Sequence, residues 1–264
     1  MRILKFSTIE IMIEQKPNAF NLADFERRRA KYEPVAEELA AVFGYPNWRQ
    51  SLPALDELVD CILSQSTTDL NRDRAFAALK ARYPNWEAVM DAPTEEIVET
   101  IRPAGLANQK APRIQNVLRR IYGERGALDI DFLETMPLNE ARDWLTALDG
   151  VGPKTAAIVL CFAFNRPAFP VDTHIHRVGQ RIGFLPKGIS AEKAHPIMET
   201  IVPPEDHYAF HLNLIRLGRE ICQARRPACE RCPLTAHCDY YQQMIGAAGD
   251  DDQSKQNRFP GNRL

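Results

Sequence analysis

The sequence predicts an all-helical protein, and two features carry that prediction. Apolar residues recur at helical spacing through most of the 264 residues, while no stretch alternates apolar with polar as a half-buried strand does. Proline and glycine punctuate these stretches at short intervals, which suits a compact, bundle-like arrangement with short loops. A chain of this length buries a full core and forms one or two compact domains. Its 45 % hydrophobic and 26 % charged residues are those of an ordinary globular protein.

Taken in order, residues 1 to about 22 carry no usable pattern and are expected to be an extension, with PNAFNLADF as a lead-in loop. From Asp24 to Phe43 the spacing predicts one helix, closed by Gly44 as its C-cap. After a proline-bearing connector, Leu55 to about Leu79 reads as two helices broken near Ser64–Asp69, where Ser and Thr favour caps over helix interior. Short helices follow, among them TEEIVETI, whose acid-rich first turn makes Thr94 the expected N-cap. LNEARDWLTAL, KTAAIVLCFAF, THIHRVGQRIGF, SAEKAHPIMETIV and HYAFHLNLIRLGREICQ are each helical in pattern or composition. Residues 241–264, polar from Gly246 onward, are expected to form a disordered tail.

The N-terminal MRILKFSTIEIMIEQK is too short in apolar length and too interrupted by charge for a signal peptide. No run approaches the roughly 18 apolar residues of a membrane span, so an intracellular protein with reduced cysteines is expected. Net charge is −2, so no global positive field points to nucleic acid. Positive charge is nevertheless segregated. Arg102, Lys110, Arg113, Arg119, Arg120 and Arg125 face one acid, Glu124, between Ile101 and Ala127; further arginines surround the C-terminal cysteines. Such segregation permits a basic face on a near-neutral protein.

Chemistry concentrates in LTALDGVGPKTAA, Leu145 to Ala157. Gly150 and Gly152 supply the backbone freedom of a tight helix-to-helix turn, and Pro153 suits the first turn of the next helix. Such a turn presents consecutive N–H groups at a helix N-terminus, a phosphate-binding geometry that needs no side chain. Lys154 stands at its mouth, and Asp172 follows eighteen residues later in VDTH. The second centre of chemistry is C-x6-C-x2-C-x5-C, formed by Cys222, Cys229, Cys232 and Cys238. Four thiolates in one short window point to a metal, and spacing leaves structural zinc and an iron–sulfur cluster equally open. Cys61 and Cys161 lie in apolar runs and are expected to be buried.

Together, LDGVGPKTA, VDTHIHRV, the cysteine spacing and GLANQKA resemble the endonuclease III family of helix-hairpin-helix DNA glycosylases, over residues of about 25 to 240. The resemblance implies two all-α domains flanking a DNA-binding cleft. One is a six-helix domain over 47–166 with the helix-hairpin-helix; the other, over 23–46 and 167–240, holds a [4Fe–4S] cluster on Cys222, Cys229, Cys232 and Cys238. It also implies base-excision repair by a monomer on double-stranded DNA carrying damaged bases, oxidised pyrimidines above all, or abasic sites, in the cytoplasm at the nucleoid.

Chemistry on a stacked base requires extruding it. The resemblance makes Leu106 the apolar wedge that fills the gap. Lys154 then attacks the sugar C1′ to give an imine, and β-elimination nicks the strand. A lysine is nucleophilic only when neutral, and partial desolvation in the first turn, at the positive end of the helix dipole, disfavours the ammonium. Asp172 would stabilise positive charge at the sugar while capping its own helix. Gly150, Val151 and Gly152 would hold a phosphate; Lys110, Arg225, Arg226 and His174 would contact DNA, and His176 would be structural.

Two departures stand out. The prototype carries a glutamine two residues after a serine to fill the space opposite the extruded base. Here Gln65 comes one residue early and Ser66 takes the matching place. Pro153 also replaces a hairpin arginine. The alternatives are a non-catalytic hairpin DNA-binding protein and a monofunctional adenine-mismatch glycosylase with Asp60 as its acid.

Overall fold

The computed structural model describes residues 22–245; residues 1–21 of the expected extension and 246–264 of the expected tail lie outside the described residues, whereas Leu22, expected in the extension, opens a helix and 241–245, expected in the tail, are helical, so both boundaries are corrected. In chain order the α-helices are α1 Leu22–Arg29, α2 Tyr32–Phe43, α3 Ala54–Ser64, α4 Asp69–Arg82, α5 Trp86–Asp91, α6 Thr94–Ile101 and α7 Ala107–Arg125. Then come α8 Leu138–Thr146, α9 Pro153–Ile158, α10 Thr173–Ile182, α11 Ala191–Ile201 and α12 His207–Glu220. The protein is all-α, with no strand among the described residues. Contacts divide it into a unit central in sequence, Asn47–Pro170, and a flanking unit whose described residues are 22–46 and 171–245.

In the central unit α3 is the axial element. It packs on α4, α7 and α9, and nearly every residue from Ala54 to Leu63 is buried. Its acids hide that role in the sequence, since a helix buried all round should be apolar all round. Each acid has its own solution. Asp56 accepts from Trp86 Nε1 at 2.7 Å and from Lys80 Nζ at 3.0 Å, and Lys80 lies 4.9 Å from the Trp86 ring centroid. The others, Glu57 and Asp60, belong to the site described below. Leu58, Ile62, Leu79, Ile97, Ile114, Leu118 and Leu145 close the core around this helix.

Three local expectations are corrected. The helix expected over Asp24–Phe43 breaks at Ala30 and Lys31, because Pro34 has no N–H to give and its ring would clash with the carbonyl four residues back. Thr94 is the first residue of α6 and does not cap it: its hydroxyl donates to Gln115 Oε1 at 2.7 Å. The buried Gln115 in turn donates to the carbonyls of Val89 and Ala92, at and just beyond the end of α5. The run KTAAIVLCFAF leaves α geometry at Val159, where a π turn runs to Ala163. Two of its carbonyls, Cys161 and Phe162, accept from Trp48 Nε1 at 3.1 and 3.2 Å.

In the flanking unit α10 packs on α12, and α12 on α2. Tyr32, Phe184 and Phe210 form an edge-to-face aromatic row at its centre. Lys31 binds the carbonyls of Ile182 and His237 at 2.8 Å each and pairs with Asp239, tying the α1–α2 turn to the end of α10 and to the cysteine loop. Asp172 caps α10, its side chain accepting from Ile175 N–H at 2.7 Å.

Replacing Asp56 by Ala leaves the Trp86 indole and the Lys80 ammonium without their shared acceptor. A loss of about 2–4 kcal/mol is expected, read as a lower urea midpoint at unchanged slope, with Asp56→Asn losing less.

Candidate active site

The hairpin joins α8 to α9. Leu145, Leu148 and Val151 bury one side of the turn, and Gly150 adopts φ +71°, where a side chain would be strained. Gly152 differs. Its backbone is extended (φ −95°, ψ −179°), and a Cβ there would meet nothing within 4 Å. The bare backbone therefore faces outward. Of the three N–H groups expected to hold a phosphate, Val151 is spent on the Leu148 carbonyl at 3.1 Å, which corrects that assignment. Those of Gly150 and Gly152 carry no hydrogen bond among the described residues.

Lys154 occupies the first turn of α9. Its side chain is exposed, and it makes no hydrogen bond or ion pair among the described residues. On α3, against which α9 packs, lies a buried acidic group. Glu57 is 7 % exposed, and its affinity for a proton is pushed up to about 7, first by burial and then by Asp60. Burial likewise raises Asp60 to about 6, against the pull of Arg72, whose Nε lies 3.4 Å away. The buried Cys61 thiol donates toward Glu57, its sulfur 3.9 Å from Oε1. Burial, Glu57 and Asp60 push that thiol up, while the charges of Lys154 and Arg72 pull it down.

Two loops flank the hairpin in the same unit. Leu106 is left-handed (φ +50°, ψ +31°) and half exposed, directly after Gly105, which also has positive φ. A leucine in this conformation costs about 1–2 kcal/mol. Its apolar side chain is thus presented to solvent at a conformational cost. Lys110, one turn on, is a correction. It is 1 % exposed, and its ammonium binds the carbonyls of Leu63 and Ala104 at 2.7 and 2.8 Å, so it staples the core and cannot reach DNA. Ser66 is exposed at φ +54°. Gln65 turns inward, its amide engaged with the Gly150 carbonyl and Arg113.

The basic run of 101–127 does not form a free face. Arg102 pairs with Glu99, Arg119 binds the Met90 carbonyl, Arg120 binds Glu124 and the Ala147 carbonyl, and Arg125 stacks on Phe132.

In the flanking unit, Asp172 is half-buried with one carboxylate oxygen fixed by the cap, and Oδ2 carries no hydrogen bond among the described residues. His174 Nδ1 lies 3.2 Å from Arg177 Nη2 and its Cβ is close-packed over Gly218. His176 Nε2 lies 2.7 Å from the Ile189 carbonyl, a structural contact. Arg225 and Arg226 are exposed and make no hydrogen bond or ion pair among the described residues. Cys222, Cys229, Cys232 and Cys238 all line one small cavity, with Arg181, Tyr240 and Tyr241 among its walls. Arg181 Nη1 lies 3.3 Å from Cys222 Sγ. Burial pushes the Cys232 thiol up to about 11, and the Cys238 and Cys229 thiols up as well.

A glycine hairpin with an outward backbone, a lysine in the turn after it and a capping aspartate in the next helix form a pattern that can be compared with known proteins. The family model of the HhH-GPD superfamily of base excision DNA repair proteins matches residues 59–204. The chain belongs to this superfamily. Endonuclease III of Sulfolobus acidocaldarius is 36 % identical over 70 % of this chain and 81 % of its own, and that of Thermotoga maritima is 32 % identical over 79 % and 94 %. A solved structure of a trapped endonuclease III–DNA covalent intermediate superposes with a TM-score of 0.71 at 29 % identity, covering 82 % of this chain and 98 % of that one. The protein is a DNA glycosylase of the endonuclease III kind. No helix among its described residues is long and apolar enough to cross a membrane.

For this glycosylase the central unit brings Lys154, Gly150, Gly152, Leu106, Gln65 and Ser66 onto neighbouring elements, and it removes Lys110. Sequence reasoning missed Glu57 and Arg113. The signal for Glu57 was an acid within an otherwise apolar helix; Arg113 gave none, being one cation in a basic run.

Glu57 also sets a pH dependence. A carboxyl ionising near 7 when folded and near 4.5 when unfolded contributes stability that is full below about pH 4.5 and is lost as pH rises through 7. Asp60 acts in the same direction. Glu57→Gln is expected to flatten the stability profile between pH 4.5 and 7 and to exceed wild type at pH 8 by on the order of 2 kcal/mol. Urea unfolding at a series of pH values checks this; parallel profiles would contradict it.

Proposed function

We propose that this glycosylase is also an AP lyase, acting as a monomer on double-stranded DNA that carries oxidised pyrimidines or abasic sites. The observation that carries the reading is Lys154, exposed and unpartnered among the described residues, in the first turn of the helix that begins at the hairpin. Lys154 attacks C1′ through the lone pair of its neutral amine as the electrons of the glycosidic bond leave with the base, and the proton that the new C1′ ammonium sheds neutralises the departing base. The C1′–O4′ bond then breaks, the second nitrogen proton passing to O4′ to give the imine, and loss of a C2′ proton expels the 3′ phosphate. Capture of a related endonuclease III as a covalent intermediate with DNA supports this route.

Asp172 is the counter-charge for this sequence. Its cap to Ile175 fixes the carboxylate rotamer and leaves the second oxygen for the positive sugar or for a proton in transit. Leu106 fills the vacated stack, and the N–H groups of Gly150 and Gly152 hold a phosphate. Arg225 and Arg226, with His174, contribute further backbone contacts, which position DNA without reading it.

The four cysteines line one cavity and would hold a [4Fe–4S] cluster, the group that the likeness to endonuclease III implies for four thiolates at this spacing. When bound, the cluster supplies a redox-capable cross-link of four thiolates. Purified protein is expected to contain iron and absorb near about 400 nm; Cys222→Ser should lose both and melt earlier. Zinc in stoichiometric amount, without iron, would exclude the cluster.

The lyase reading is tested by borohydride trapping on duplexes with thymine glycol or an abasic site. Wild type should form a covalent adduct and Lys154→Gln none. Tight binding without an adduct from cluster-loaded wild type would leave the hairpin as a DNA grip only.

A further inference from the structure

Gln65, at the end of α3, spends both ends of its amide inside the central unit. Its Nε2 donates to the Gly150 carbonyl at 3.0 Å, and its Oε1 accepts from Arg113 Nη1 at 3.1 Å. Arg113, on α7, lies flat against the turn itself: a Cβ built on Gly150 would come within 2.1 Å of Arg113 Nε. Asp149 Oδ2 stands 4.0 Å from the same nitrogen, which is buried without an acceptor. Three elements distant in sequence thus meet on the backbone of one residue, four positions before Lys154.

We propose that Gln65 and Arg113 clamp the hairpin turn and are positioning residues for Lys154, a role that rests on Lys154 being the nucleophile. The argument is mechanical. Lys154 has no partner of its own among the described residues, so the aim of its amine depends on where the turn places the backbone of α9. A glycine in the left-handed region is the loosest point of that turn. A misplacement of about 1 Å can cost on the order of a hundredfold in rate. Gln65 removes this freedom by holding the Gly150 carbonyl, and the Arg113 guanidinium does so by filling the volume where a side chain would be. A buried N–H left without an acceptor is a cost that an arginine serving only the core would avoid.

The clamp also says what Gln65 does not do. Its amide is committed within the protein, so the surface next to it is left to Ser66, exposed and left-handed.

The test compares wild type with Gln65→Ala, Arg113→Ala, the double variant and Arg113→Lys. Trapping rates are measured across DNA concentration, and hydrogen exchange of DNA-free protein is followed by peptide. Each single alanine variant should slow trapping at saturating DNA at least tenfold, with the half-saturating concentration within twofold of wild type. The double variant should fall no more than twofold below the worse single one, because the pair acts as a unit. Arg113→Lys keeps the charge but loses the planar fork, and should behave as Arg113→Ala. Exchange in residues 147–153 should quicken at least tenfold while peptides of α4 stay unchanged. Three trapping outcomes would overturn the clamp: unchanged rates, additive losses, or a loss confined to the half-saturating concentration, which would make Arg113 a DNA contact. Unchanged exchange at the hairpin overturns it even where wild type itself fails to trap, so the clamp and the lyase reading fail separately.

Discussion

The turn at Gly150 must be bare on one side and packed on the other, and much of the central unit follows from that requirement. A phosphate-holding backbone can carry no side chain where the ligand comes, so the turn cannot stabilise itself from outside. Its order comes from within. Leu145, Leu148 and Val151 bury the inner side, Pro153 presets the first turn of α9, and α9 packs on the axial helix α3. The price of a left-handed glycine is paid by contacts from two other helices, at Gln65 and Arg113.

The same unit buries polar groups in two distinct ways. Lys110, Gln115 and Asp56 are fully engaged: each buried head group binds at least two partners and thereby adds polar ties between elements that also pack together. Such satisfied groups specify one arrangement of helices. Glu57 and Asp60 are different. They are held where water is scarce, with a thiol and one partly shared arginine for company, and burial raises the proton affinity of both, to about 7 and about 6. Stability is given up on the helix against which α9 packs. That is where an enzyme rather than a scaffold is expected to spend it.

How much of this was legible follows from the range of the forces involved. The hairpin, the cap at Asp172 and the cysteine spacing depend on residues within a few positions of one another, so a local pattern reports them. The break at Ala30 and Lys31 was also local, and a proline three residues into a helix should have signalled it. Lys110 was misread because charge in a run looks like a solvated face. Only the carbonyls of Leu63 and Ala104, brought to it by tertiary packing, turn it into a core staple. Arg119 and Arg120 mislead for the same reason, since backbone carbonyls distant in sequence are their partners. No composition rule can see a carbonyl.

Gln65 shows the limit most clearly, because the sequence displayed the oddity without its meaning. A one-residue shift at the end of a helix changes which way a side chain leaves it. Gln65 is the C-cap of α3, with extended backbone (φ −62°, ψ 124°), whereas Ser66 beyond it has crossed into the left-handed region. The long amide is therefore sent toward the hairpin and the short hydroxyl toward solvent. Arg113 makes the exchange consistent, for its guanidinium meets the redirected amide and covers the glycine that the amide holds. A glutamine one position later would leave the Gly150 carbonyl without this donor and Arg113 Nη1 without its acceptor. The shift in Gln65 and the arginine on α7 thus form one physical feature, distributed over elements 48 residues apart.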